Sequence, residues 1–303
     1  MTGVGLKSTK EMASKMPKVR TNVTLRHSDY KPVSSEQRLE NTKVVNLDNG
    51  FIKIYIGDSK EGWVQAADRY FDILTKEEYE DIHTITISYN SIRPKGERLK
   101  TFGGTASGHT SLLDMFDGFD KVIKNQIDSS LDPIEVDEKG YGQVRPIHIL
   151  DMANLIGANV VIGGVRRTAE IFIFDEDDYE SMFAKYGMNG IWTEAQLAQH
   201  KKVGKRLDKL GIKPAWFDDL DIGKRREGID HRRMSNNSIG FIEKPEKEFM
   251  DLVFEMMQLE GEPGFVNLGE AARRVLATLG NDKPNKKEIA DKAYNLGLNP
   301  CVS

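Results

Sequence analysis

Two segments in the first hundred residues alternate between apolar and polar side chains, which is the pattern of a half-buried strand. They are residues 51–56 and 83–89, and both are rich in isoleucine. Between them, apolar residues at helical spacing predict an amphipathic helix over residues 62–75. Those apolar positions are Trp63, Ala66, Ala67, Tyr70, Phe71 and Leu74. We interpret all of them as core positions.

The rest of the chain continues to alternate helices with strands. Helical spacing predicts helices at residues 112–123, 146–157, 245–259, 268–279 and 286–296, and short apolar runs predict strands at 160–162, 169–174 and 239–242. The charged stretch 176–232, broken by glycine turns, is interpreted as a peripheral, solvated insertion. Strands that alternate with helices indicate the α/β class.

Composition narrows the classes of partner. Lysine and arginine (43) nearly balance aspartate and glutamate (47), which argues against a bulk nucleic-acid binder. No apolar run approaches the length of a membrane span, and the N-terminus lacks the apolar segment of a signal peptide. We therefore expect a cytoplasmic protein with neither membrane nor direct nucleic-acid partners.

Cysteine and histidine usage argues against a protein-built metal site. Cys301 is the only cysteine, so neither an internal disulfide nor a cysteine-rich zinc site is possible. The six histidines are scattered, and none forms a His-x-x-x-His pair. No Ser-His-Asp set can be picked out either.

A glycine-rich run precedes the predicted helix at 112–123. It consists of Gly103, Gly104, Thr105, Ala106, Ser107 and Gly108. Free backbone N–H groups and a helix dipole favour an anion there. The spacing matches neither a P-loop nor a dinucleotide fingerprint. A tight structural turn and a phosphate or nucleoside site therefore remain equally open readings.

Two further runs offer polar chemistry. The first is a glycine hinge with paired arginines, made of Gly163, Gly164, Val165, Arg166, Arg167 and Thr168. It suits phosphate or base recognition, or is a solvated surface turn. The second is Ser235, Asn236, Asn237 and Ser238, which either lines a polar pocket or caps a turn.

Seven stretches, taken in order, resemble the adenosylcobalamin-dependent (class II) ribonucleotide reductases, especially the ribonucleoside-triphosphate reductases. They lie at residues 61–64, 92–98 with 102–108, 154–157, 163–170, 234–238, 261–268 and 299–301. Among them are Gly-Gly-Thr-Ala-Ser-Gly, Ser-Asn-Asn-Ser and Asn-Pro-Cys. Each stretch is weak by itself, but together they follow the family's order over about four-fifths of the chain.

The resemblance implies a partial ten-stranded α/β barrel with an α+β insertion. Residues 1–19 would begin the barrel fragment, residues 20–92 would form an effector-site insertion domain, and residues 93–303 would continue the barrel to its finger loop. The implied activity is reduction of ribonucleotides, as part of a larger or split enzyme. The implied cofactor is adenosylcobalamin, with most of its binding surface outside this chain.

The resemblance also implies roles for individual residues. Cys301 would carry the thiyl radical, and Asn299 would hydrogen-bond the ribose hydroxyls. Residues 103–108 and Ser235–Asn237 would bind the ribonucleotide substrate. Residues 163–168 would form the specificity loop that reports a deoxynucleotide effector. A thioredoxin-like reductant and the remaining reductase segments are the other implied partners.

Three features depart from the family pattern. Ser303 stands where the family has a glutamate, the reducing cysteine pair has no counterpart, and His109 replaces a proline after the glycine run. We therefore expect a middle fragment of the catalytic chain that does not reduce nucleotides by itself. Truncation and a split gene are two explanations for such a fragment.

Other interpretations stay open. Residues 301–303, Cys-Val-Ser, also resemble the start of an intein, in which case Cys301 is a splicing nucleophile. A non-catalytic nucleotide-binding or regulatory fragment is another reading. A third is the large subunit of a metal-radical (class I) reductase, which shares the barrel. The Gly-Gly-Thr-Ala-Ser-Gly and Ser-Asn-Asn-Ser runs favour the cobalamin class over it.

Overall fold

The computed structural model describes residues 2–99, 104–160 and 168–299. The chain divides into two compact units. The first unit comprises residues 1–13, 145–154 and 168–303, and the second comprises residues 14–144 and 155–167. Among the described helices, none has the length and apolar character needed to cross a membrane.

The strands and helices of the described residues are as follows. The strands are β1 (Thr2–Lys7), β2 (Val19–Arg20), β3 (Thr24–His27), β4 (Lys43–Asn46), β5 (Phe51–Tyr55), β6 (Thr84–Ser88), β7 (Tyr141–Gly142), β8 (Thr168–Asp175), β9 (Ser235–Phe241) and β10 (Gly264–Asn267). The α-helices are α1 (Lys10–Ser14), α2 (Lys60–Thr75), α3 (Thr110–Ile123), α4 (Pro146–Asn159), α5 (Tyr179–Met182), α6 (Glu194–Leu210), α7 (Lys247–Glu260), α8 (Leu268–Thr278) and α9 (Lys286–Tyr294).

The first unit is built on a parallel sheet in the order β1-β8-β9-β10. Helices α8 and α9 bury Leu268, Ala272 and Ala293 against Ile173 of β8. Parallel strands need crossover connections, and α7 supplies the one between β9 and β10. This arrangement confirms the predicted α/β class, while the ten-stranded barrel remains a prediction.

The second unit is built on a four-stranded sheet in the order β3-β6-β5-β4, in which only the β4–β5 pair is antiparallel. Helix α2 turns Tyr70 toward α3, where it packs edge-on against Phe116. A separate short ladder joins β2 to β7. Arg20 of this ladder is buried, and its guanidinium donates to the carbonyl oxygens of Ile73 and Ile82 at 2.9 and 2.7 Å.

The structure corrects two of our sequence interpretations. The stretch 176–232 is not solvated throughout, because residues 181–188 are buried and include Phe183 and Tyr186. The polar run Ser235–Ser238 does not precede a strand but forms the first half of β9. The predicted strand at 160–162 falls almost entirely outside the described residues.

Candidate functional site

In the second unit, residues 104–106 of the glycine run fold back on residues 97–99 and form hydrogen bonds with them. Ala106 N–H donates to the Glu97 carbonyl at 2.7 Å, and Leu99 N–H donates to the Gly104 carbonyl at 2.9 Å. Gly108 has a φ of +82°, and a Cβ there would lie 3.1 Å from Lys95 N. Glycine is therefore required at the point where the run turns toward α3.

A stacked aromatic pair fixes the end of this run. The His109 ring lies 3.8 Å from the Tyr30 ring with only 19° between their planes. The Tyr30 hydroxyl in turn donates to the Ile92 carbonyl at 2.8 Å. The stacked pair thus holds the His109 side chain against Tyr30 at the start of α3.

A cavity of about 850 Å³ opens beside the run, a size typical of small-molecule sites. Ala106, Ser107 and Gly108 line it on one side. Its charged lining residues are Arg38, Glu40, Asp58, Lys60, Arg93, Glu97 and Arg98. Four of these are basic and three are acidic, so the cavity carries one excess positive charge.

Most of these charges are already paired. Arg38 makes a bidentate pair with Glu97, both N–O distances being 2.6 Å, and this pairing raises the pKa of Arg38. Arg93 Nε lies 2.9 Å from Asp58 Oδ2. Arg98 is exposed and makes no ion pair with any described residue. Arg98 is therefore the cation best placed to meet an anionic ligand.

The first residues of β9 form a polar face in the first unit. Ser235 and Asn237 are buried, with 1% and 3% of their surfaces exposed, whereas Asn236 is exposed. Ser235 Oγ donates to Asn237 Oδ1 at 2.8 Å. The Asn237 Nδ2 group is buried without a partner among the described residues. An unpaired buried donor costs about 1–3 kcal/mol, which a ligand oxygen would recover.

A buried lysine contacts the same strand. Lys185 Nζ donates to the Ser235 carbonyl and to Glu262 Oε1, the latter at 2.8 Å. The other carboxylate oxygen of Glu262 accepts from Asn237 N–H at 3.4 Å. Burial raises the pKa of Glu262, and the pair with Lys185 opposes that rise.

A second buried ion pair lies just before β9. Asp151 of α4 accepts from Arg232 Nε and Nη2 at 2.6 and 2.7 Å, and from His231 Nε2 at 2.7 Å. Burial by itself would raise the pKa of Asp151, but Arg232 and His231 hold it well below its usual value. Arg232 Nη1 also donates to the Ala184 carbonyl at 2.9 Å.

Strand β1 holds the segment that leads to Asn299. Lys7 Nζ donates to the carbonyls of Ala293 and Tyr294 at 2.5 and 2.9 Å, at the end of α9. A Cβ at Gly5 would lie 1.6 Å from the Leu298 carbonyl oxygen, so only glycine permits this approach. Asn299 itself is exposed.

The structure brings together some of the site residues predicted from sequence. Ser235 and Asn237 share one buried face in the first unit, and Thr105–Gly108 lie along or beside the cavity in the second unit. Cys301, Gly103 and residues 163–167 lie outside the described residues, and Thr168 is the first residue of β8.

Sequence reasoning missed several polar residues beside β9, namely Asp151, Lys185, Arg232 and Glu262. One signal was available for Lys185, which is the only charged residue in the run from Met182 to Met188. The same signal was available for Asp151, which is the only charged residue from Pro146 to Val165. Arg232 and Glu262 stand in segments with several charges, where nothing in the pattern distinguishes a buried side chain from a solvated one.

The candidate site built from the described residues fits neither a metal ion nor a corrin. No group of three or more histidine, cysteine, aspartate or glutamate side chains among them is arranged to hold a metal ion. The two described cavities, about 450 and 850 Å³, have the size of sites for drug-sized ligands. Adenosylcobalamin is larger than such ligands, so neither of these two cavities fits it.

Comparisons with known proteins place these features in one family. The profile of the B12-dependent ribonucleotide reductase insertion domain matches residues 24–123. An adenosylcobalamin-dependent ribonucleoside-triphosphate reductase of Euglena gracilis is 35% identical over 82% of this chain and 26% of its own length. The enzyme of the same name from Lacticaseibacillus paracasei is 26% identical over 99% of this chain and 33% of its own length.

The fold has a counterpart among solved structures. A crystal structure of a B12-dependent (class II) ribonucleotide reductase matches with a TM-score of 0.55 at 22% identity, covering 88% of this chain and 30% of that one. The chain thus spans about a third or less of the length of the relatives it matches.

Proposed function

We propose that this chain, which belongs to the adenosylcobalamin-dependent ribonucleotide reductase family, supplies nucleotide-binding and catalytic segments for reducing ribonucleoside triphosphates to deoxyribonucleotides. The activity is proposed for the larger enzyme, because the chain spans only about a third of its relatives. Adenosylcobalamin as the cofactor, a thioredoxin-like reductant and a cytoplasmic location belong to the same proposal.

One observation carries the nucleotide-binding part of the proposal. Ser107 and Gly108 of the glycine run share a nucleotide-sized cavity with Arg93 and Arg98. The N-terminus of α2 also reaches this cavity through Lys60, and free N–H groups at a helix start favour anions. Phosphate oxygens are the ligand group that this combination of donors suits best.

The cavity lies wholly within the matched insertion domain, since its lining residues run from Ser35 to Gly108. We therefore assign it a nucleoside triphosphate, with a deoxynucleotide effector as the first candidate and the ribonucleotide substrate as the second. Several lining residues lie beyond residue 92, so this assignment extends the insertion domain predicted for residues 20–92 at least to Gly108. The specificity-loop role of residues 163–168 belongs to the same proposal.

The first unit would contact the reacting nucleotide. Asn237 offers its unpaired amide group to a ligand oxygen, and Ser235 and Asn236 flank it. Asn299 and Cys301 take the ribose-binding and radical roles implied by the Asn-Pro-Cys run. Beyond Asn299 the proposal rests on the family pattern alone.

A non-catalytic nucleotide-binding function is the second candidate. The observation that favours it is that the second unit alone supplies every lining residue of the cavity. The two candidate functions predict the same nucleotide binding but differ in whether a deoxynucleotide is formed. Binding and turnover therefore both have to be measured.

The test is calorimetric titration of the 303-residue chain with ATP and, separately, with dATP, dGTP and dTTP. We expect saturable binding that weakens about tenfold in Arg98→Ala, because a charge-assisted contact is lost. Arg69→Ala is the matched control, since Arg69 pairs with Asp72 on α2 and does not line the cavity. Absence of binding, or equal affinity in both variants, contradicts the assignment.

A parallel assay separates the two candidates. The chain is incubated with adenosylcobalamin, a dithiol reductant and a ribonucleoside triphosphate, and deoxynucleotide formation is measured. Turnover that starts only when the remaining segments of a relative are added supports the catalytic reading. Binding with no turnover even then favours the non-catalytic one.

A further inference from the structure

Lys185 is buried in an apolar environment that does not suit a lysine. The neighbouring residues Phe183, Ala184 and Tyr186 expose at most 3% of their surfaces, and Lys185 itself exposes only 9%. A charged amine in such surroundings is unfavourable unless it is paired and hydrogen-bonded. The hydrogen-bond partners of the Lys185 amine therefore indicate its structural role.

Both polar contacts of Lys185 described above converge on the start of β9. The amine donates to the Ser235 carbonyl on one side and to the Glu262 carboxylate on the other. Glu262 then reaches Asn237 N–H with its second oxygen, at 3.4 Å. The backbone of residues 235–237 is thus held at two points by one ion pair.

A second connection ties the same two segments together. Arg232 Nη1 donates to the carbonyl of Ala184, the residue before Lys185. Residues 184–185 are therefore linked to the turn before β9 through Arg232, and to Ser235, which is the first residue of β9. These two links supplement the ladder to β8, in which Ser235 pairs with Glu170.

We propose that Lys185 and Glu262 are positioning residues that hold Ser235–Asn237 so that Asn237 Nδ2 points at an acceptor oxygen of a bound nucleotide. The identity of the ligand rests on the proposed function, whereas the positioning rests on the contacts alone. Ser235 Oγ completes the arrangement, because its bond to Asn237 Oδ1 fixes which end of the carboxamide is left for the ligand.

The acceptor oxygen has two possible sources, a ribose hydroxyl and a phosphate. Adenosine offers only the first, and ATP offers both. Titrating the chain with each ligand, while following the Asn237 side-chain amide signals by NMR, therefore distinguishes the sources. A shift with adenosine assigns the hydroxyl, and a shift with ATP alone assigns the phosphate.

The positioning role is tested in the full chain with Lys185→Met, Lys185→Arg and the double variant K185M/E262Q. Lys185→Met removes the amine but keeps the chain length, and the double variant leaves no unpaired carboxylate if the single variant folds poorly. The matched control is Lys213→Met, which removes a lysine that pairs with Asp208 and Asp218 away from this face.

We expect hydrogen exchange at the amides of residues 235–237 to accelerate about tenfold or more in Lys185→Met and in K185M/E262Q. Lys185→Arg retains a donor and should stay within about threefold of wild type. The Asn237 amide signals should no longer shift on adding ATP in Lys185→Met.

Failure of the two proposals can be told apart. If wild type binds neither adenosine nor ATP, the ligand assignment fails, and the exchange rates alone then decide the positioning role. Wild-type exchange at residues 235–237 in both Lys185→Met and the double variant overturns that role. Equal acceleration in Lys213→Met also overturns it, because the effect would then reflect general loosening.

Discussion

The Asp151 carboxylate and the Arg232 guanidinium face each other with both side chains fully buried. Their two N–O contacts measure 2.6 and 2.7 Å, which is the geometry of a bidentate charge-assisted pair. The pair joins α4 to the turn that leads into β9. It therefore supports the strand that carries Ser235 and Asn237.

Removing one partner of this pair should be strongly destabilising. We expect Arg232→Met to lower the free energy of unfolding by about 3–5 kcal/mol, because the buried Asp151 carboxylate would lose both bonds from the guanidinium and keep the one from His231. Urea unfolding followed by circular dichroism measures the change. Arg273→Met is the control, since its exposed pair with Glu270 should be worth about 0–1 kcal/mol. A loss below about 1 kcal/mol for Arg232→Met contradicts the expectation.

Asp178 and His148 should give the first unit opposing pH dependences. Burial raises the pKa of Asp178 from 3.8 to about 6, so its contribution to stability is present below pH 3.8 and is lost as pH rises through 6. Burial, reinforced by Arg145, lowers the pKa of His148 from 6.5 to about 4. Its contribution is present above pH 6.5 and is lost as pH falls through 4.

Single variants should expose each of these two contributions. Each shift is about two pKa units, or roughly 3 kcal/mol. Between pH 4 and 6.5, Asp178→Asn should therefore gain stability relative to wild type as pH rises, and His148→Asn should lose it. Urea midpoints at pH 4, 5 and 6.5 measure the two slopes. Parallel curves for all three proteins would show that neither group titrates as expected.

Helices and strands in which apolar residues recur at a regular spacing were predicted well from the sequence. Helix α2 and strands β5 and β6 follow the expected positions to within two residues at each end, because their apolar faces are regular. Strand β1 was missed, since Gly3 and Gly5 give it little strand character and its ladder to β8 stabilises it. Ser235–Asn237 were placed outside β9 for the same reason, as pairing with Glu170–Phe172 decides their conformation.

Two glycines of the glycine run, Gly104 and Gly108, allow the energetic cost of a positive φ to be measured separately from the cost of a steric clash. Gly104 and Gly108 both have positive φ, of +87° and +82°, but a Cβ at Gly104 meets nothing within 4 Å, whereas one at Gly108 meets Lys95 at 3.1 Å. Both alanine variants should lose about 1 kcal/mol from left-handed strain. Gly108→Ala should lose more and should also weaken ATP binding, as it displaces the cavity wall.

Thermal unfolding and the ATP titration measure this pair of variants. Equal stability loss in Gly104→Ala and Gly108→Ala would show that the contact with Lys95 relaxes at no cost. Retained ATP affinity in Gly108→Ala would argue that the ligand does not reach this side of the cavity.

Lys7 should anchor the end of α9. Its amine contacts two carbonyls there, and burial lowers its pKa while Asp175 opposes the shift. Lys7→Met should therefore speed hydrogen exchange over residues 293–298 several-fold, because the helix end loses its cap. Lys286→Met provides the comparison, as Lys286 is exposed and pairs only with exposed Glu243 among the described residues. Equal exchange in the two variants would contradict the anchoring role.

The candidate site was predicted only in part, for a physical reason. Ser235 and Asn237 were identified because short polar side chains stand out beside an apolar strand. The apolar run around Lys185 offered a signal for its burial, but its role was missed because its partner Glu262 lies 77 residues further along the chain. A local pattern carries no information about a partner at that distance.

The short ladder between β2 and β7 has a kinetic consequence. Thr2 of β1 pairs with Thr168 of β8, so a long stretch of chain must be closed before the first sheet can form. Once Arg20 pairs with Tyr141, most of that stretch is bypassed, which reduces the entropic cost of closure by roughly 1 kcal/mol. The β2–β7 ladder therefore shortens the effective loop that separates β1 from β8, which favours formation of the first sheet.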